Sequence, residues 1–135
     1  MFAEFELAAH QKVEENGTVT PSELCSIYAD LNAKYYGKEA TDDLISYEWS
    51  RIPHFYNSFY VYKYATGIVS AAAISKDIFD GKPGALEGYM RFLSLGGSMP
   101  PLDILRVAGV DLTTNEPFEK ALALFGESVE ELSRL

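Results

Sequence analysis

Apolar positions in this chain recur mostly at helical spacing. Phe2, Phe5, Ala9 and Val13 fall on one stripe, which predicts a first helix from Phe2 to Glu15, stopped by Asn16-Gly17. Thr20-Pro21-Ser22-Glu23 reads as a helix start, with Thr20 as N-cap, Pro21 at the first helical position and Glu23 completing a capping box. Leu24, Ile27, Tyr28, Leu31 and Tyr35 then form a buried face, and Gly37 ends it. Residues 38–43 are polar, and Asp42 and Asp43 stand where a short helix through Leu44, Ile45 and Trp49 would begin. Pro53 interrupts it and pushes Ile52 toward an extended backbone.

From about His54 to Asp80 the pattern predicts the longest helix, rich in small residues at Gly67, Ser70, Ala71, Ala72 and Ala73. A glycine inside a helix costs about 1 kcal/mol relative to alanine, so Gly67 calls for close packing or for space beside a ligand. Gly81 ends this helix. Ala85 to Leu95 forms another, stopped by Gly96-Gly97, and Pro100-Pro101 starts a short one that Gly109 ends. The last begins near Thr114 or Asn115, with Pro117 in its first turn and an apolar stripe of Phe118, Leu122, Phe125, Val129 and Leu132. No segment alternates with period two. The expectation is an all-α chain of six or seven helices, residues 1–135 forming one helical segment.

Composition narrows the classes. The chain has 135 residues, is 47% apolar and has a mean hydropathy near zero, enough for a core in one modest domain. A net charge of −9, with no basic cluster, argues against a nucleic-acid partner. The longest uncharged run, Tyr64 to Ser75, has 12 residues and is too short for a bilayer. The opening Met1-Phe-Ala-Glu-Phe-Glu has no basic start and no apolar run of the kind a secretion signal needs. The single cysteine, Cys25, fits a buried apolar role in a reducing, cytoplasmic setting.

Most chemical motifs are absent. The two histidines, His10 and His54, lie far apart, without His-Glu-x-x-His or paired-cysteine spacing. Glu4 and Glu6 beside His10 read as a solvated face of the first helix, and Glu127, Glu130 and Glu131 as a solvated face of the last. There is no nucleophile elbow, Cys25 has no histidine near it in sequence, and Gly96-Gly97-Ser98 is a helix stop rather than a phosphate loop.

The exception is the stretch from Arg51 to Gly67. On a continuous helix, Tyr56, Tyr60 and Tyr64 would align as a ridge of phenols with His54 just below, and Gly67 would leave open space one turn on. Such hydroxyls beside an imidazole can donate hydrogen bonds to a developing negative charge. They can equally cap a core with amphipathic rings. Spacing leaves both readings open.

Arg51-Ile-Pro-His-Phe-Tyr, followed by Phe59-Tyr-Val-Tyr-Lys-Tyr-Ala-Thr-Gly67, resembles the C-terminal region of oligoendopeptidase F, in the thimet-oligopeptidase-like zinc metallopeptidases. The likeness continues in Met1-Phe-Ala-Glu-Phe-Glu, Leu31-Asn-Ala-Lys-Tyr-Tyr-Gly37, Gly96-Gly97-Ser98, Pro101-Leu-Asp-Ile-Leu, Ala108-Gly-Val-Asp111 and Glu116-Pro-Phe-Glu119, so it covers essentially the whole chain in order.

The resemblance implies a C-terminal fragment of a cytoplasmic oligopeptide-hydrolysing enzyme. Its zinc is bound by a His-Glu-x-x-His helix and a further glutamate upstream of the region present here. The metal would activate water and polarise the scissile carbonyl. This chain would bind no zinc itself, would be inactive alone, and would contribute the side of the cleft that stabilises the transition state. By position His54 and Tyr60 match the family's catalytic histidine and principal tyrosine. Tyr64 aligns with a second tyrosine, Gly67 replaces another, and Tyr56 is a candidate substitute. Asn57-Ser58 and Lys63 depart from the family pattern and are expected to leave His54 and Tyr60 untouched. The implied partners are an oligopeptide substrate and the absent N-terminal part of the enzyme, with no nucleic acid and no membrane. The alternative is a standalone, non-catalytic helical module that self-associates or binds a partner through its aromatic ridge.

Overall fold

The computed structural model describes Met1 to Leu135 as six α-helices with three short 3-10 segments and no strand. The chain divides into two compact units, Met1–Lys63 and Tyr64–Leu135.

In the first unit, α1 (Phe2–Asn16) ends at Gly17, whose N–H donates to the Val13 carbonyl and whose left-handed φ of 76° turns the following chain away from the helix. Helix α2 (Pro21–Tyr36) starts with the capping box foreseen from sequence: the Glu23 amide donates to Thr20 Oγ1 while the Glu23 carboxylate takes the Thr20 amide. Lys12 also donates to Glu23 at 2.5 Å, and these bonds, Lys12 first, hold the carboxyl at a pKa of about 2. Because that value is depressed, its contribution to stability is present above the ordinary carboxylate range and fades as pH falls toward 2. Phe5 of α1 and Tyr28 and Leu31 of α2 form the buried centre, with Leu24, Ile27, Trp49 and Phe55 packed around them. The 3-10 segment Ile45–Arg51 is started by Asp42, whose carboxylate accepts from the Leu44 and Ile45 amides at 2.8 Å. Cys25 is half-buried rather than enclosed, and its sulfur receives the Trp49 indole N–H at 3.4 Å.

The long helix expected from His54 onward is shorter. Pro53–Tyr56 forms a 3-10 turn, the chain then turns again, and α3 runs only from Tyr62 to Phe79. The physical reason is that Asn57 is extended, with φ −130° and ψ 93°, and Phe59 takes a φ of +57°, neither of which continues a right-handed helix. The helical period was there; these two residues break it.

In the second unit, Ala73 and Ile74 of α3 are buried with Ala108 and Val110, and Ile78, Tyr89, Phe92, Leu105 and Leu112 close around them. Helix α4 (Ala85–Leu95) packs on α5 (Pro101–Val107), and α6 (Glu116–Leu132) is tied to α3 where Lys120 pairs with Asp77 at 3.1 Å. The apolar stripe of α6 exists as spaced but is largely exposed, Leu122 and Leu132 most of all.

Two glycines separate what sequence could not. Gly67 lies exposed with nothing within 4 Å of the place a Cβ would occupy, whereas a Cβ on Gly88 would meet the Val107 carbonyl oxygen at 2.7 Å. The close helix approach is therefore at Gly88. Gly67→Ala is expected to stabilise the chain by about 1 kcal/mol through helix propensity. Gly88→Ala should destabilise it by about 1–3 kcal/mol through overpacking against backbone. Urea unfolding midpoints of the two variants should move in opposite directions.

Candidate functional site

The segment that carries the candidate chemistry is held by α1. Ile52 is buried and Pro53 follows it into the 3-10 turn, so the chain enters the site from a fixed point. Phe55, between His54 and Tyr56, packs its ring against Phe5 with centroids 4.9 Å apart and against Phe2 at 5.6 Å. Next to Phe5 on α1, Glu6 accepts a hydrogen bond from the Phe59 amide at 2.7 Å, and one turn further along His10 stacks on the Phe59 ring at 4.3 Å. Between these anchors the backbone folds on itself: the Asn57 amide donates to the His54 carbonyl and the Tyr60 amide to the Asn57 carbonyl, both at 3.1 Å.

This double turn brings His54 and Tyr60 together. Their rings lie nearly parallel, 18° apart in plane and 5.2 Å between centroids. Both side chains are half-buried. Lys63 sets its ammonium 5.1 Å from the centre of the Tyr60 ring, an attractive cation–π distance. Lys63 thus does touch Tyr60, contrary to the sequence expectation, and Asn57 shapes the turn through its backbone.

The other site residues are placed differently. The ridge of Tyr56, Tyr60 and Tyr64 does not form on one helix, because only Tyr64 belongs to α3. Tyr56 sits on the 3-10 turn with an exposed ring, and its hydroxyl donates to the Ser50 carbonyl at 2.8 Å. Tyr64 and Gly67 lie in the second unit, exposed and three residues apart on α3, hence on one helix face.

Three residues were missed from sequence. Glu6, expected on a solvated face, is 4% exposed. A carboxylate in that setting needs hydrogen-bond partners, and the Phe59 amide supplies one. Phe59 was passed over as one more aromatic, and a non-glycine residue at its φ of +57° costs about 1–3 kcal/mol. His10, far from His54 in sequence, is its partner in holding that turn. Beside them opens a cleft of about 340 Å³, apolar at Phe5, Val13, Leu24 and Trp49 and polar at Glu6, His10 and Tyr56. No three His, Cys, Asp or Glu side chains gather into a group that could hold a metal ion.

This arrangement sets an imidazole and a phenol side by side on one turn, group types that can donate hydrogen bonds to an oxygen on which negative charge grows.

Comparison with known proteins agrees over the whole chain. The sequence profile of peptidase family M3 matches residues 1–124. The chain is 48% identical over its full length to oligopeptidase PepF of Bacillus subtilis, covering 20% of that protein. It is 42% identical to the group B oligopeptidase PepB of Streptococcus agalactiae over 99% of the chain and 22% of the relative. The crystal structure of oligoendopeptidase-F from Enterococcus faecium superposes on 98% of the chain with a TM-score of 0.90 and 42% identity, and the match takes up 26% of that structure. The chain thus spans about a fifth of the length of the curated relatives it matches.

Proposed function

The chain belongs to peptidase family M3, and we propose that it is the C-terminal part of the catalytic domain of a cytoplasmic zinc endopeptidase acting on oligopeptides. The observation that carries this reading is the His54–Tyr60 stack on its strained turn, in a chain similar throughout to oligopeptidases. In the proposed role the two residues face the scissile carbonyl. As that carbon becomes tetrahedral its oxygen takes on negative charge, and the imidazole N–H and phenol O–H donate to it. Donors fixed in advance favour the transition state over the ground state, because no reorganisation is needed when the charge appears.

Tyr64 and Gly67 are proposed to line the peptide channel, the phenol as a hydrogen-bond donor and the glycine as room for the substrate backbone. Tyr56 has its hydroxyl committed to the Ser50 carbonyl, so it is proposed to contribute its exposed ring face instead. Zinc does not fit this chain alone, which has no ligand group for it. Its ligands are assigned to the rest of the parent enzyme.

The test compares the isolated chain with the full-length protein on an internally quenched oligopeptide. The full-length protein should cleave it and lose activity to a chelator. The isolated chain should show neither turnover nor stoichiometric zinc. One tightly bound zinc per isolated chain would overturn the assignment of the ligands to another segment. A second reading, a standalone helical module that self-associates, draws support from the exposed stripe on α6. Light scattering of the isolated chain distinguishes it, since that reading requires a concentration-dependent oligomer with no peptidase in any context.

A further inference from the structure

We propose that Glu6 is a positioning residue for the His54–Tyr60 pair, acting through the backbone of Phe59; this rests on the catalytic reading of that pair. The argument starts from the rotation about the Phe59 N–Cα bond. Its φ of +57° is one that a phenylalanine avoids, so left alone the turn would relax toward a right-handed or extended backbone. Two contacts from α1 prevent this. On one side of the bond, the amide N–H donates to the Glu6 carboxylate at 2.7 Å. On the other, the side chain is stacked on His10 at 4.3 Å. With both sides held, φ is over-determined, and over-determination is what keeps strained backbone in place at working sites.

Tyr60 is the next residue, so the dihedral at Phe59 sets where its ring starts. That ring then meets His54 across a turn closed by the Asn57 amide and carbonyl. Glu6 is suited to the task because it is buried, and because a carboxylate accepting from a backbone N–H makes a stronger bond than a neutral acceptor. It lies one residue from Phe5, the packing partner of Phe55, so α1 fixes the turn at both ends. Glu6 is not expected to touch substrate. Its effect should fall on kcat.

The test uses the full-length enzyme carrying Glu6→Leu, Glu6→Asp and Glu6→Gln. Leucine removes the acceptor, aspartate keeps the charge but is one methylene short, and glutamine keeps reach and an accepting oxygen. Glu6→Leu and Glu6→Asp should lower kcat by about 10²-fold, the scale of a misplaced catalytic group, with KM within about twofold. Glu6→Gln should stay within about fivefold of wild type in kcat. Phe59 amide exchange should be protected in wild type and Glu6→Gln and fast in the other two. If Glu6→Leu does not fold, Glu6→Asp decides. Wild-type kcat in Glu6→Asp despite a freely exchanging Phe59 amide would overturn the proposal, as would a loss confined to KM. Tyr60→Phe separates this from the reading beneath it. If Tyr60→Phe is fully active, the catalytic assignment fails; if Tyr60→Phe is crippled and the Glu6 variants are not, only the positioning role fails.

Discussion

Tyr60→Phe in the full-length enzyme should lower kcat by roughly 10²–10³-fold, the cost of removing one donor from a site that stabilises an oxyanion. The substitution deletes a single oxygen and leaves the ring, so the stack on His54 and the contact with Lys63 persist. KM should hardly change, because the lost hydrogen bond strengthens only in the transition state. His54→Ala should fall at least as far. It removes a donor and also the ring against which Tyr60 packs, so the remaining phenol is less well placed. The double variant should lose much less than the product of the two single losses, since the residues act as a unit. Steady-state kinetics on one oligopeptide suffices. Turnover within about fivefold of wild type in both single variants would be far outside the loss expected of an oxyanion donor, and would remove the pair from the mechanism.

The helices and their caps were readable because they are local. Thr20, Pro21 and Glu23 act within one turn, and the glycines at 17, 37, 96 and 109 mark ends where the backbone takes positive φ. The site was readable only in part, because its decisive feature is not local. Nothing at Phe59 itself signals a left-handed residue, since aromatic side chains disfavour it. Its amide is taken by Glu6, more than fifty positions earlier, and its ring by His10. A periodicity argument sees Tyr56, Tyr60 and Tyr64 at spacing four and joins them into a ridge. It has no access to a tertiary contact that cuts the helix between them. The same limit placed Glu6 on a solvated face: a carboxylate on an amphipathic helix is exposed unless a distant amide comes to it. Gly67 is the converse: open space does lie beside it on α3, but the Tyr60–Tyr64 helix face from which that space was argued does not form, and the close approach sought there turned up at Gly88.

Tyr28→Ala should be the most destabilising single change in the first unit, by about 3–5 kcal/mol as for other buried aromatics. Tyr28 is completely buried, and its ring meets Phe5 edge-on at 5.2 Å and 80°. Phe5 in turn carries Phe55, so the cavity left by alanine would open beneath the turn that holds His54. Tyr28→Phe isolates the hydroxyl, which donates to Glu48 at 2.7 Å. It should cost about 1–3 kcal/mol, because a half-buried carboxylate loses a donor while keeping its pairing with Arg51. The two variants also differ from wild type in alkali. Burial, and then the bond to Glu48, raise the phenol pKa above its ordinary 10.0. The unfolded chain therefore gives up this proton first, and the stability tied to it is whole below pH 10 and declines as pH rises beyond. Tyr28→Phe should flatten that alkaline decline while lowering stability at neutral pH. Urea unfolding at neutral and alkaline pH measures both effects. A loss below about 1 kcal/mol for Tyr28→Ala would be too small for a packed aromatic centre, and would mean that the first unit is not organised around this residue.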